Sequence, residues 1–126
     1  MVEQKRNMPS TMAVLRRMRD DAYKLFSLCL GPNIDLEQLG KSLHRGWDLK
    51  RSLASKISTS DIDDYYEAAI RAGAEGGKLC GAGGGGFLMF VVKPQNRKNV
   101  REVLRALPLV HVGYEVHGSR VLYPVG

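Results

Sequence analysis

Cysteine is scarce in this chain: Cys29 and Cys80 are its two, in 126 residues. So wide a separation is neither a metal-ligating spacing nor a disulfide framework, and both read as small core residues in a reduced compartment. Histidine is nearly as rare. His44, His111 and His117 read as scattered and without partners at ligand-like offsets, so no structural metal is expected. No apolar run approaches the roughly 20 residues that span a bilayer. The opening MVEQKRNMPS also lacks the apolar centre of a signal peptide. No membrane partner is therefore expected, and the default compartment is cytoplasmic. Aromatics make up only 7% of the chain. The cations of the first half, Arg16, Arg17, Arg19, Lys41, Arg45, Lys50 and Arg51, are not interleaved with stacking rings, which argues against a nucleic-acid partner. With a net charge of +6, phosphorylated small molecules or an acidic domain remain as counter-charge.

What is present is the composition of an ordinary globular protein, 44% hydrophobic and 25% charged, at the length of one domain. Residues 1–9 read as disordered or linker and 10–126 as the domain. From Thr11 to Leu30, Met12, Leu15, Met18, Ala22, Leu25, Phe26 and Cys29 recur at helical spacing, and Gly31-Pro32 supplies the stop. Asp35 can cap a second helix running to about Ser55, with Leu36, Leu39, Leu43, Trp47 and Leu53 on one stripe. Ser60 with Asp63 resembles a capping box for a third helix ending at Gly73. The period then changes. Lys78–Cys80 and Phe87–Lys93 read as strands, Asn96–Leu107 as a helix, and Leu109–His117 with Arg120–Tyr123 as a hairpin turned at Gly118-Ser119. The order ααα-ββ-α-ββ predicts an α+β domain with a small antiparallel sheet covered by helices.

Seven of the 14 glycines fall between Gly76 and Gly86. Formally, Gly81-Ala82-Gly83-Gly84-Gly85-Gly86 satisfies the dinucleotide fingerprint, but that fingerprint needs a helix opening at its last glycine, and Phe87-Leu88-Met89-Phe90-Val91-Val92 is β-prone. No Gly-Lys-Ser/Thr comes after the glycines, so a P-loop fails too. The chain is also too short for a protein kinase and lacks its catalytic-loop motifs. Bare backbone of this kind lets a ligand or another chain segment approach closely, and exposed amides can form an anion-binding nest. A purely connective turn would need far fewer glycines.

Lys78-Leu79-Cys80-Gly81-Ala82-Gly83-Gly84-Gly85-Gly86-Phe87 resembles the third, C-terminal motif of the GHMP kinases, the family of galactokinase, homoserine kinase, mevalonate kinase and phosphomevalonate kinase. Gly73-Ala74-Glu75-Gly76-Gly77, Trp47-Asp48-Leu49-Lys50-Arg51-Ser52-Leu53 and Ile57-Ser58 extend the likeness over nearly the whole chain from about Pro9. Together they look most like the branch that phosphorylates a heptose 7-phosphate at the anomeric oxygen. The resemblance implies a ferredoxin-like C-terminal domain and, in the complete enzyme, ATP and Mg²⁺ as cofactors and a small sugar phosphate as substrate. It also implies an N-terminal domain carrying the nucleotide-binding loop, which nothing in this sequence matches. On that reading Gly81, Ala82, Gly83, Gly84, Gly85 and Gly86 form an active-site loop. No catalytic residue lies in this chain, and the chain alone is inactive. The alternative is a stand-alone ferredoxin-like module that binds or senses a phosphorylated metabolite. A domain built against a partner should expose an apolar face that can drive self-association, and a self-sufficient module should not.

Stepping about 100° per residue, Lys50 falls near the centre of the apolar stripe of the second helix. Burying an unpaired ammonium is costly, so its head should snorkel, pair with a carboxylate, or face a wet cleft. In the last case Lys50, with Arg51 at the stripe's edge, is a candidate for holding a substrate or nucleotide phosphate. Trp47 reads as core, and His44 as a solvated neighbour of the stripe.

Overall fold

The computed structural model describes residues 8–53, 59–81, 86–113 and 115–120. Three helices come first: α1 (Met8–Cys29), α2 (Leu36–Arg51) and α3 (Ser60–Arg71). The strands β1 (Ala74–Cys80) and β2 (Phe87–Val92) come next, then a single 3₁₀ turn (Pro94–Asn96) and α4 (Arg97–Val103). Among the described residues this is an α+β arrangement of four helices and one two-stranded antiparallel sheet.

Asp35 caps α2 as its sequence position predicts, its carboxylate accepting from the Glu37 and Gln38 amides. The cap of α3 sits one residue earlier than expected. Thr59 in extended backbone accepts from the Ile62 amide, so Ser60 becomes the first helical residue. Gly73, with φ of 106°, ends that helix in a left-handed turn, and Asn96 donates to its carbonyl. α2 stops at Arg51, short of Ser55, and residues 54–58 lie outside the described set.

The sheet runs in register from Cys80↔Phe87 to Gly76↔Val91, then slips so that Ala74 faces Val92. Glu75 is the extra residue of this bulge. Its carboxylate meets Lys93 at 3.3 Å, and the same ammonium reaches Glu37 in the first turn of α2, also at 3.3 Å. Two apolar clusters fill the space between sheet and helices. Trp47, Tyr66 and Leu79 pack with Ile62, Ile70, Leu88 and Phe90. Ala69, Ala74 and Val100 pack with Val92 and Leu104. Burial is the main driving force here, at about 1.5–3 kcal/mol for each large side chain.

α1 is the least committed element. Met12, Leu15, Tyr23 and Phe26 stand exposed on it, and Leu30, Ile34 and Leu36 continue the patch toward α2. The expected C-terminal hairpin is not formed among the described residues. Positions 109–113 and 115–120 carry no strand, and Val112 and Val116 are 85% and 86% exposed. Tyr114 and residues 121–123 lie outside the described set. Gly118 does take the left-handed φ (62°) that the predicted turn needed. An alternating apolar pattern makes a strand only where a sheet edge and an apolar surface receive it, because strand preference is mostly packing.

Candidate active site

The glycine run is the connection of the β1–β2 hairpin. Cys80↔Phe87 is the last register pair, and beyond it Gly81 and Gly86 have φ of 136° and 119°, a region that side chains disfavour. Gly86 also stands against the Cys80 carbonyl oxygen, where a Cβ would overlap it. The neck of the loop is thus glycine for two separate reasons. Ala82, Gly83, Gly84 and Gly85 lie outside the described residues. The chain leaves Gly86 as strand, not helix, in keeping with the apolar run from Phe87.

Two contacts orient α2 against this hairpin. Near its start, Gly40 meets Gly76. Further on, Trp47 packs with Leu79. Seven helical residues at about 1.5 Å and three strand residues at about 3.3 Å both advance about 10 Å, so the helix tracks β1 in the same direction. Its C-terminal turn, carrying Lys50 and Arg51, therefore ends at the glycine end of the hairpin. Cations suit that turn, since the helix dipole leaves it partly negative.

The two candidate cations differ. Lys50 is half-buried and forms no ion pair or hydrogen bond among the described residues. Arg51 is engaged on every side. Its Nη2 meets Asp48 Oδ1 at 2.6 Å and its Nη1 meets Asp63 Oδ1 at 2.7 Å. Its guanidinium lies 5.7 Å from the Trp47 ring centroid and 5.9 Å from that of Tyr66. Partial burial works against the charge, and the bonds from Asp48 and Asp63 outweigh it, so Arg51 is held above the ordinary arginine value.

Sequence reasoning missed the polar chain beside them. Tyr66, 1% exposed, donates its hydroxyl proton to the Gly77 carbonyl at 3.1 Å. The same hydroxyl oxygen lies 2.8 Å from His44 Nδ1, a hydrogen bond whose direction follows the imidazole tautomer. His44 Nε2 faces Asp48 Oδ2 at 3.3 Å. His44 is therefore not a lone solvated residue. Its signal was legible as a carboxylate at i+4 on one helix face. Its other partner, 22 residues on, had none. The rings stack, His44 on Tyr66 at 5.7 Å and Tyr66 against Phe90 at 5.4 Å. Burial first, and then the Asp48 charge, push the Tyr66 hydroxyl up to about 12, with the Arg51 charge opposing.

An open cleft of about 320 Å³ lies between α2 and α3, lined by His44, Asp48, Arg51, Tyr66 and Arg71 among others. A larger concavity of about 480 Å³ between α1 and α2 is lined by Arg17, Asp21, Lys24 and Arg45. There Asp21 is shared by Lys24 at 3.9 Å and Arg45 at 3.7 Å, so much of its charge is internally matched. Among the described residues, no group of three or more His, Cys, Asp or Glu side chains is placed to hold a metal ion, and no helix is long and apolar enough to cross a membrane.

Comparison with known proteins bears on the same residues. The model of the C-terminal region of the GHMP kinases matches residues 22–108, a stretch that holds α2, α3, both strands and α4. The D-glycero-alpha-D-manno-heptose 7-phosphate kinase of Campylobacter jejuni subsp. jejuni is 30% identical over 95 residues. That alignment covers 75% of this chain and 27% of the relative, so the chain spans about a quarter of the length of the curated kinase it matches.

Proposed function

The chain belongs to the GHMP kinases, as their C-terminal domain, and from that premise we propose that it forms one wall of the cleft of an ATP-dependent sugar kinase acting on a heptose 7-phosphate at the anomeric oxygen. The observation that carries this reading is the alignment of α2 along β1, with Lys50 and the glycine neck at one end. A half-buried lysine that forms no ion pair among the described residues, on the helix end that runs toward a glycine loop, suits a phosphate group. The similarity to a heptose 7-phosphate kinase supports the choice of sugar.

When bound, ATP supplies the phosphoryl group and Mg²⁺ neutralises charge on the phosphates. The glycines of the loop from Gly81 to Gly86 would give them room, having no side chains to fill the space. Lys50 is the first candidate for the substrate's own phosphate. Arg51, already held by Asp48 and Asp63, is the second and would have to share its guanidinium. The nucleotide loop, and an acidic catalytic residue where the family uses one, would belong to the N-terminal kinase domain. The exposed apolar residues of α1, from Met12 to Phe26, support a partner domain, or self-association where that domain is lacking, over a self-sufficient binding module.

The test is a kinase assay on the complete enzyme with heptose 7-phosphate, ATP and Mg²⁺, comparing the parent with Lys50→Met. A KM for the sugar phosphate raised about tenfold, the loss of roughly 1.4 kcal/mol expected for one phosphate contact, supports the reading. An unchanged KM removes Lys50 from the site, and no turnover by the parent overturns the substrate.

A further inference from the structure

We propose that Tyr66 is a positioning residue of the glycine hairpin: its hydroxyl, held by His44, anchors the Gly77 carbonyl and so fixes where Gly81 and Gly86 stand relative to the end of α2. The proposal rests on the reading of that hairpin as active-site wall, and part of its test is independent of it.

β1 reaches the loop through Gly76 and Gly77, two residues with no side chain to hold them in place and with the widest backbone freedom. Neither can be given one. A Cβ at Gly77 would come within 2.6 Å of the Phe90 ring, and one at Gly76 would overlap the Gly40 carbonyl. The strand must therefore be held by backbone contacts, and the Tyr66 hydroxyl supplies a directional one, four residues before Gly81. Tyr66 suits the task because it is itself immobilised. It is 1% exposed, with His44, Trp47 and Phe90 against its ring. From its hydroxyl the polar chain continues through His44, Asp48 and Arg51 to Asp63 on α3. One connected set of groups thus links the carbonyl of β1 to both helices. Because burial keeps the hydroxyl protonated up to about pH 12, the donor persists at any ordinary assay pH.

Tyr66→Phe removes the hydroxyl and keeps the ring. In this chain, amide hydrogen exchange should quicken about tenfold, some 1.4 kcal/mol, at Lys78–Cys80 and Phe87–Met89, with the α4 amides unchanged. Unchanged protection in the hairpin overturns the proposal. So does an equal loss everywhere, which would make Tyr66 a general stability residue. In the complete kinase, kcat should fall about tenfold while KM for the sugar phosphate stays within about twofold. Val100→Ala, a cavity in the other apolar cluster, should lower Tm without that kcat loss; the same kcat loss from it would also overturn the proposal. An inactive parent enzyme counts against the functional reading alone, because the exchange result still judges Tyr66.

Discussion

Gly40 and Gly76 meet backbone to backbone: a side chain on Gly76 would overlap the Gly40 carbonyl oxygen, and one on Gly40 would fall within 2.6 Å of the Glu75 carbonyl carbon. This contact lets α2 lie directly on β1 and so carries Lys50 to the glycine end of the hairpin. Neither neighbour is a flexible side-chain tip, so relief requires moving an element. Gly76→Ala and Gly40→Ala should each cost about 1–3 kcal/mol or more in urea unfolding. Gly46, in the same helix, has no described residue within 4 Å of a would-be Cβ, and Gly46→Ala should stabilise by up to about 1 kcal/mol. An unchanged midpoint in Gly76→Ala would contradict the close approach.

Trp47 is 2% exposed, and its indole Nε1 has no hydrogen-bond partner among the described residues. Phenylalanine would keep part of the packing and remove the unpaired donor while leaving a smaller cavity than alanine, so Trp47→Phe should cost about 1–2 kcal/mol. Trp47→Ala should cost about 3–5 kcal/mol by opening a cavity. Equal losses in thermal unfolding would mean the indole N–H matters and has found an acceptor.

Arg51 uses two arms for two carboxylates, a geometry that a single ammonium cannot reproduce. Arg51→Lys should cost about 1 kcal/mol, a modest figure because all three side chains are part-exposed. Its effect on KM for the sugar phosphate should be smaller than that of Lys50→Met. The reverse order would make Arg51 the phosphate ligand.

Raising the Tyr66 hydroxyl to about 12 from 10.0 ties stability to alkaline pH. The folded state holds its proton more tightly than the unfolded state, so this contribution is complete below pH 10.0 and is lost as pH rises through about 12. The parent's tyrosinate absorbance should show a delayed step near pH 12 that Tyr66→Phe lacks. Amplitude lost in Tyr66→Phe from the ordinary step near pH 10.0 instead would place the hydroxyl in water.

Glu37 sits between two ammonium groups. Its bond to Lys41 and then that to Lys93 hold it below the ordinary value of 4.5. The stability this adds is present above pH 4.5 and disappears as acid protonates the folded state. Lys93 is raised, by Glu75 first and then Glu37, so its share is lost only at strongly alkaline pH. Glu37→Gln should flatten the acid limb of a stability–pH curve, and an unaltered limb would mean the trio is not formed in solution.

Much of this molecule was legible along the chain because the cues are local. Asp35 before an apolar-periodic run, Gly31-Pro32 after one and the β-prone residues after Gly86 each act within a turn or a strand of themselves, and the elements lie where they pointed. The glycine run was legible as a close-approach loop for the same reason, since a need for left-handed φ is a property of single residues. Boundaries were less so. The α3 cap fell to Thr59 because two neighbouring hydroxyls can compete for the same amides and only the chain path chooses between them.

Spatial meetings were left to packing. Gly40 was just a weak helix former in the sequence, and Gly76 one glycine among many, until the fold set one on the other. His44 and Tyr66 are 22 residues apart, beyond any helical or strand period, so their hydrogen bond exists only because α2 and α3 cross the same stretch of β1. The described residues of 109–117 show the converse: an alternating pattern selects which face could be buried, but strand formation also needs an edge to pair with. Residue order alone settled which segments could be helix, strand or bare loop, because those preferences are set by each residue's own backbone and near neighbours. Which of these segments touch, and hence that α2 runs along β1 toward the glycine neck and that Tyr66 meets Gly77, was settled by burial and close packing, which act only once the chain has folded.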